Sequence, residues 1–245
     1  MVRAGDRSIG SALRLTIDPD LPSPRAIAKA ASLLRNGGLV AFPTDTLYAL
    51  GADASNPLAL QRLFAAKGRS KTKPIPLLVA DLAMVIRMVG DLPHPAARLA
   101  ERFWPGPLTI LVSAPPGMSR LVTAGVGRIG LRVPDAPVAL ALIQRLDRPV
   151  TGTSANRSSG EDPRDADEVI RQLSDRVDLV LDAGPVPIGS PSTVVDVTVS
   201  PPIVVREGII PQEEIFDLLD VEPCHGKITR RDGEATKGFG KRVKI

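Results

Sequence analysis

What most constrains this chain is a regular alternation of short apolar runs, bounded by turn residues, with stretches of helical periodicity. Ser23-Pro24 reads as the N-cap and first turn of a helix stopped by Asn36-Gly37-Gly38. Gly38 to Phe42 then reads as a strand, followed by the polar loop Pro43-Thr44-Asp45-Thr46, and Asn56-Pro57 opens a second helix ending near Lys67-Gly68. Strand signals follow at 76–80, 108–113, 129–133, 149–152, 178–182, 193–198 and 202–206, with helical stretches at 82–89, 95–103, 137–146 and 165–173. The pattern predicts an α/β layer fold: a single domain built on a twisted mixed β-sheet flanked by helices. Residues 1–20 read as an N-terminal extension, 21–212 as the domain, and 213–245 as a terminal helix and basic tail. Residues 1–12 and 222–245 are expected to be flexible ends.

Composition removes several chemistries. One cysteine, Cys224, cannot make a disulfide framework or a cysteine-rich zinc site. His94 and His225 are the only histidines, which weakens metalloprotease and Ser-His-Asp readings. Seven aromatics are too few for a surface that stacks successive bases. The longest uncharged stretch, Pro105 to Ser119, holds four prolines and two glycines and could not span a bilayer as a helix. With no signal-peptide pattern either, the expectation is a cytoplasmic protein with no membrane partner. The net charge of +4 lies wholly in residues 222–245, where seven Lys and Arg face three acids, so the body is neutral. Gly125 to Gly130 matches the dinucleotide-binding pattern, but the residues after it alternate as a strand where that motif needs a helix.

Against the neutral background, polar clusters stand out. Lys67-Gly68-Arg69-Ser70-Lys71-Thr72-Lys73 holds four cations in seven residues. It suits either a solvated helix C-terminus, where cations complement the dipole, or a polyphosphate site. Thr44, Asp45, Thr46 and Tyr48 follow an apolar strand, and Thr151 to Asn156 places Ser154 and Asn156 after another. Each could serve turn chemistry or hydrogen-bond a ligand. Arg132 inside an apolar strand needs a partner or a ligand carboxylate. Ser192 and Arg206 repeat the pattern of a polar residue at a strand edge. No Ser or Cys nucleophile has an evident base. The inventory suits two anionic substrates reacting by proximity and charge stabilisation.

Six segments in series carry a resemblance: Pro43 to Gly51, Lys67 to Arg69, Trp104 to Thr109, Leu131 to Pro134, Thr153 to Asn156 and Ser192 to Asp196. Together they resemble the threonylcarbamoyl-AMP synthase family, whose catalytic unit is the YrdC-like domain, in its short form. The resemblance implies a concave, locally basic ligand face. It implies synthesis of L-threonylcarbamoyladenylate from L-threonine, bicarbonate and ATP, with Mg²⁺ accompanying ATP and pyrophosphate released, in service of threonylcarbamoyladenosine modification of tRNA. By motif, Lys67, Arg69, Lys73, Ser154, Asn156 and Arg206 would face ATP, with Lys67 and Arg69 catalytic. Thr46, Arg132 and Ser192 would face threonine. Contacts with tRNA or double-stranded RNA and with tRNA-modification proteins are further expectations. The alternative is a non-catalytic RNA-binding module of the same fold. A carbamoyl-transfer domain like that of hydrogenase-maturation proteins is a further rival, but those chains are much longer. The sequence departs from the family pattern at Ala49, where Gly is usual, at Ser70, where Pro is usual, and at Glu207, which puts an anion beside Arg206.

Overall fold

The starts of the helices are written in side chains that satisfy, or lack, the orphan N–H groups of a first turn. In the computed structural model, which describes residues 12–221, α1 (Pro24–Arg35) begins with Pro at its first position; Ser23 stands at the cap but makes no side-chain bond. In α2 (Pro57–Lys67) the Asn56 side chain accepts from Leu58 N and Ala59 N, and Gly68 ends the helix in a left-handed turn at φ 60°. Asp81 caps α3 (Leu82–Val89) through Met84 N. After α4 (His94–Phe103), α5 (Arg120–Thr123) and α6 (Pro137–Leu146) comes α7 (Ala166–Leu173), capped by Asp165 through Glu168 N. The expected terminal helix is α8 (Gln212–Leu219).

The strands are β1 (Leu13–Thr16), β2 (Val40–Pro43), β3 (Tyr48–Gly51), β4 (Leu77–Leu78), β5 (Leu108–Ser113), β6 (Arg128–Arg132), β7 (Val150–Thr151), β8 (Thr153–Ser154), β9 (Leu179–Asp182), β10 (Thr193–Asp196) and β11 (Ile203–Arg206). The expected α/β layering with mixed strand directions is present. The ladders divide into two sheets, in the orders β1-β9-β2-β3-β8 and β11-β10-β5-β6-β4-β7, where the sequence reading has one. Both mix parallel and antiparallel pairs: β2 runs parallel to β9 and antiparallel to β3, and β5 runs parallel to β10 and antiparallel to β6. The dinucleotide-like glycines lead into β6 rather than a helix, as the alternation predicts.

Four elements escape the sequence reading, the short α5 and β8 among them. Leu13–Thr16, inside the expected extension 1–20, forms an edge strand on β9. Tyr48–Gly51, just past the polar loop expected at 43–46 and not read as a strand, returns as the second arm of a hairpin with β2. Residues 1–11 and 222–245, with the flexible ends and charge excess expected there, lie outside the described residues. Among the described residues no helix is long and apolar enough to cross a membrane.

Helices cover the β2 sheet on both faces, which explains why residues 39–42 are continuously apolar instead of alternating with polar ones. Val40 and Phe42 join a core with Ile27 and Leu34 of α1 and Leu142 of α6. Leu39 and Ala41 point the other way, into a cluster with Leu63 and Phe64 of α2 and Val169 and Leu173 of α7. Residues 150–154 join the sheets. Their first half pairs with β4 and their second half with β3, and Gly152 sits at the changeover. A Cβ at Gly152 would lie 2.7 Å from Leu78 Cγ, inside the packed core. Gly152→Ala should therefore cost about 1–3 kcal/mol of stability, read as a lower urea midpoint with an unchanged slope.

Candidate functional site

The hairpin turn between β2 and β3 is organised by one hydroxyl. Thr44 Oγ1 donates to Leu47 O at 2.7 Å and accepts from Thr46 N and Leu47 N at 3.2 Å. Its single proton being spent, the 3.0 Å contact with Thr46 Oγ1 is donated by Thr46. Thr46 is thus left with lone pairs turned outward, and Arg132 NH1 donates to them at 2.8 Å.

Arg132 ends β6 with a guanidinium almost withdrawn from water, its side chain 7% exposed. It also donates through Nε to Gly106 O at 2.9 Å and through NH2 to Asp45 Oδ1. The partner required by a cation in an apolar strand is therefore supplied within the protein by Asp45. Burial lowers the guanidinium's pKa while Asp45 opposes the shift. Three of its five N–H bonds are committed, leaving two to offer. Asp45 Oδ2 is buried and has no partner among the described residues.

These groups form one wall of a cavity of about 370 Å³, whose lining includes Thr46, Arg69, Arg132, Ser154, Ser192 and Arg206. Six of the nine sequence-predicted site residues are thus gathered. Arg69, two residues past Lys67 across the turn at Gly68, donates to Pro74 O at 2.8 Å and holds its Nε buried without a partner. Arg206, at the end of β11, donates through Nε and NH2 to Ser192 O and through NH2 to Ser192 Oγ. Ser192 in turn pairs with Thr109 at 2.9 Å. Burial lowers the pKa of Arg69 and Arg206, and Asp162 opposes the shift at Arg206.

The other three predicted residues lie elsewhere. Lys67 is buried behind the cavity, where Nζ donates to Ser154 O, to Asn156 O at 2.7 Å and to Asn156 Oδ1 at 2.9 Å. Burial, reinforced by Arg69 and opposed by Asp162, brings its pKa down to about 7. The side chain of Asn156 is used within its own loop, accepting from Ser154 Oγ and donating to Gly160 O and Glu161 O. Lys73, assigned to ATP by the family motif, is exposed in the turn after Gly68 and outside the lining.

Thr44, already noted with Thr46 as able to hydrogen-bond a ligand, lines the cavity too, and so do Thr109 and Asp162, which were not singled out. Thr109 carried a usable signal as a polar residue in the apolar run 108–112; Asp162 carried none, lying among polar loop residues. Tyr48 faces the cavity, but its hydroxyl donates to Gly184 O and accepts from Ala183 N, and burial pushes its pKa up to about 12. The departures at 49 and 207 are accommodated. Ala49 is an ordinary strand residue paired with Phe42 and Ser154, and Glu207 accepts from Gln212 N at the start of α8. Ser70 bonds Thr72 in the exposed turn. A larger apolar groove of about 620 Å³, between α3 and α4, contains none of the predicted site residues.

The Arg132–Asp45 pair gives a direct test. Arg132→Met should cost about 3–5 kcal/mol by leaving a buried carboxylate uncompensated. Adding Asp45→Asn should recover part of that loss, as a double-mutant cycle of denaturation midpoints would register.

The comparisons with known proteins agree with this geometry. The family model of Sua5, YciO and YrdC proteins, described as "Telomere recombination", matches residues 32–208. The chain is 36% identical over 211 residues to the threonylcarbamoyl-AMP synthase of Pyrococcus abyssi, covering 86% of this chain and 62% of that protein. It is 40% identical over 200 residues to the enzyme of the same name from Bacillus subtilis, covering 81% and 57%. The crystal structure of P. abyssi Sua5 complexed with L-threonine superposes with a TM-score of 0.82 at 35% identity, covering 85% of this chain and 61% of that one. The chain thus spans about three fifths of the length of these relatives. With the family match extending over most of the described residues and the fold shared, this chain belongs to the Sua5/YciO/YrdC family.

Proposed function

We propose that the chain synthesises L-threonylcarbamoyladenylate from L-threonine, bicarbonate and ATP, releasing pyrophosphate, in the cytoplasm. The observation that carries this reading is the convergence of three guanidinium groups, Arg69, Arg132 and Arg206, on one hydroxyl-lined cavity in a neutral body. Such a cavity suits two anionic substrates held side by side. The names of the relatives support it.

In this reading bicarbonate and the neutral amine of threonine condense to a carbamate, a C–N bond forming as the C–O bond breaks and water leaves. A carbamate oxygen then attacks the α-phosphorus of ATP as the bond to the pyrophosphate oxygen breaks. The two uncommitted N–H bonds of Arg132, with Ser192, receive the threonine carboxylate, and Thr46, whose proton goes to Thr44, turns its remaining lone pair to the threonine amine. Arg69, Arg206 and Ser154 face the phosphates; ATP enters with Mg²⁺ as part of the substrate. Lys67 acts from behind, fixing the backbone of Ser154 and Asn156 while adding positive charge under the phosphates. The product would feed threonylcarbamoyladenosine modification of tRNA, which brings tRNA and its modification proteins in as partners.

The deciding assay is pyrophosphate release from ATP that requires both threonine and bicarbonate. Arg69→Ala should lower it at least about a hundredfold, the scale of losing a donor to developing charge. Release independent of threonine would defeat the proposal. A second measurement tests Lys67. With its pKa brought down to about 7, it is incompletely protonated at pH 8 in the free protein, and a polyphosphate nearby must raise that value. Binding of ATP at pH 8 should therefore take up protons, an uptake that fades by pH 6 and disappears in Lys67→Met. Calorimetry in buffers of different ionisation enthalpy reads this directly.

A further inference from the structure

Asp162 poses an electrostatic problem that the rest of the cavity does not. It is a carboxylate in the lining of a cavity otherwise furnished with arginines and hydroxyls, on the side where Ser154 and Arg206 lie. It is close enough to raise the pKa of both Lys67 and Arg206, yet among the described residues it makes no ion pair with either. Its hydrogen bonding amounts to one long contact, from Asn156 Nδ2 to Oδ1 at 3.4 Å. The backbone beneath it is fixed on both sides. Asn156 Nδ2 donates to Gly160 O and Glu161 O at 3.0 Å, and Tyr48 N donates to Pro163 O at 2.9 Å. The backbone that carries the carboxylate is thus fixed at the cavity, and among the described residues its oxygens have no other side-chain partner.

An anion held at a phosphate site repels its ligand unless a cation stands between them. We infer that Asp162 is a protein ligand for the Mg²⁺ that accompanies ATP. This rests on the nucleotide reading of the cavity and adds to it the residue that selects the metal-loaded form. The donor chemistry fits. Mg²⁺ takes oxygen ligands, dehydrates reluctantly, and is ordinarily held by one or two carboxylates together with substrate phosphates and water. Asp162 is exposed, so a metal there keeps its water. Carboxylate and metal together also leave the arginines to the phosphate oxygens.

The test is the affinity of ATP, by calorimetry, in MgCl₂ and in EDTA, for the wild-type chain and Asp162→Asn. The substitution is exposed and isosteric, and keeps an acceptor for Asn156, so an unchanged melting temperature verifies its fold. Wild type should prefer MgATP over free ATP by about tenfold. In Asp162→Asn that preference should collapse, and metal-free ATP should bind about three- to tenfold tighter than to wild type because the repulsion is gone. With Mn²⁺ in place of Mg²⁺, the electron paramagnetic spectrum of the ternary complex should change between the two proteins. An unaltered ratio of MgATP to ATP affinity in the variant overturns the inference. So does an equal weakening of both forms, which would mark Asp162 as a sugar contact or a loop brace. Failure of wild type to bind ATP in either condition would instead bring down the nucleotide reading, and the inference with it.

Discussion

One desolvated guanidinium ties the site together. Arg132 leaves the end of β6 and meets two otherwise separate pieces of chain: the segment before β5, at the carbonyl of Gly106, and the hairpin turn, at the hydroxyl of Thr46 and the carboxylate of Asp45. A buried ion pair contributes little net stability compared with apolar residues of the same volume, because both charges surrender water. What it contributes here is position. The two sheets bring β6 and the β2–β3 hairpin near one another, and the three donated bonds fix their relative placement. Thr46 can present lone pairs to Arg132 only because Thr44 has already absorbed its proton.

The opposite side of the cavity is built by separating two neighbouring cations. Lys67 is the last residue of α2 and turns inward; Gly68 takes the left-handed conformation; Arg69 emerges on the cavity side. Without the freedom of Gly68, the helix would continue and Arg69 would point about 200° around the axis from Lys67, on the geometry of 3.6 residues per turn. The glycine therefore divides the pair into a cation that braces a loop and one that can meet a ligand. Lys67 reaches three oxygens of residues 154–156, so the loop that offers Ser154 to the cavity is supported by charge from within the core.

Much of this could be read from residues alone, and the exceptions share causes. Helices with chemical punctuation, such as α2 between Asn56 and Gly68 or α7 after Asp165, were legible because capping is local. Leu13–Thr16 was not, since an exposed edge strand buries no face and writes no period of two. Tyr48–Gly51 was hidden by the polar turn it completes, and the division into two sheets by the single residue that accomplishes it, Gly152. In the site, residues whose type conflicts with their surroundings were legible: Arg132 in an apolar strand, or hydroxyls at strand ends. Lys73 and Asp162 mark the limit. One was carried to the site by the family motif and lies in an exposed turn, the other looked like solvent-facing loop and lines the cavity, and only tertiary placement shows either.

The seam at residues 150–154 has a mechanical consequence. A cavity lying between two sheets could in principle open as a jaw, each sheet swinging as a rigid plate. Here one uninterrupted segment of backbone is laddered into both plates and supplies Gly152, Thr153 and Ser154 to the cavity wall. Swinging the sheets apart would tear that wall before it widened the entrance. The turn after Gly68 and the loop after Asn156, at the rim, carry no such double ladder, so the constraint falls on the floor alone.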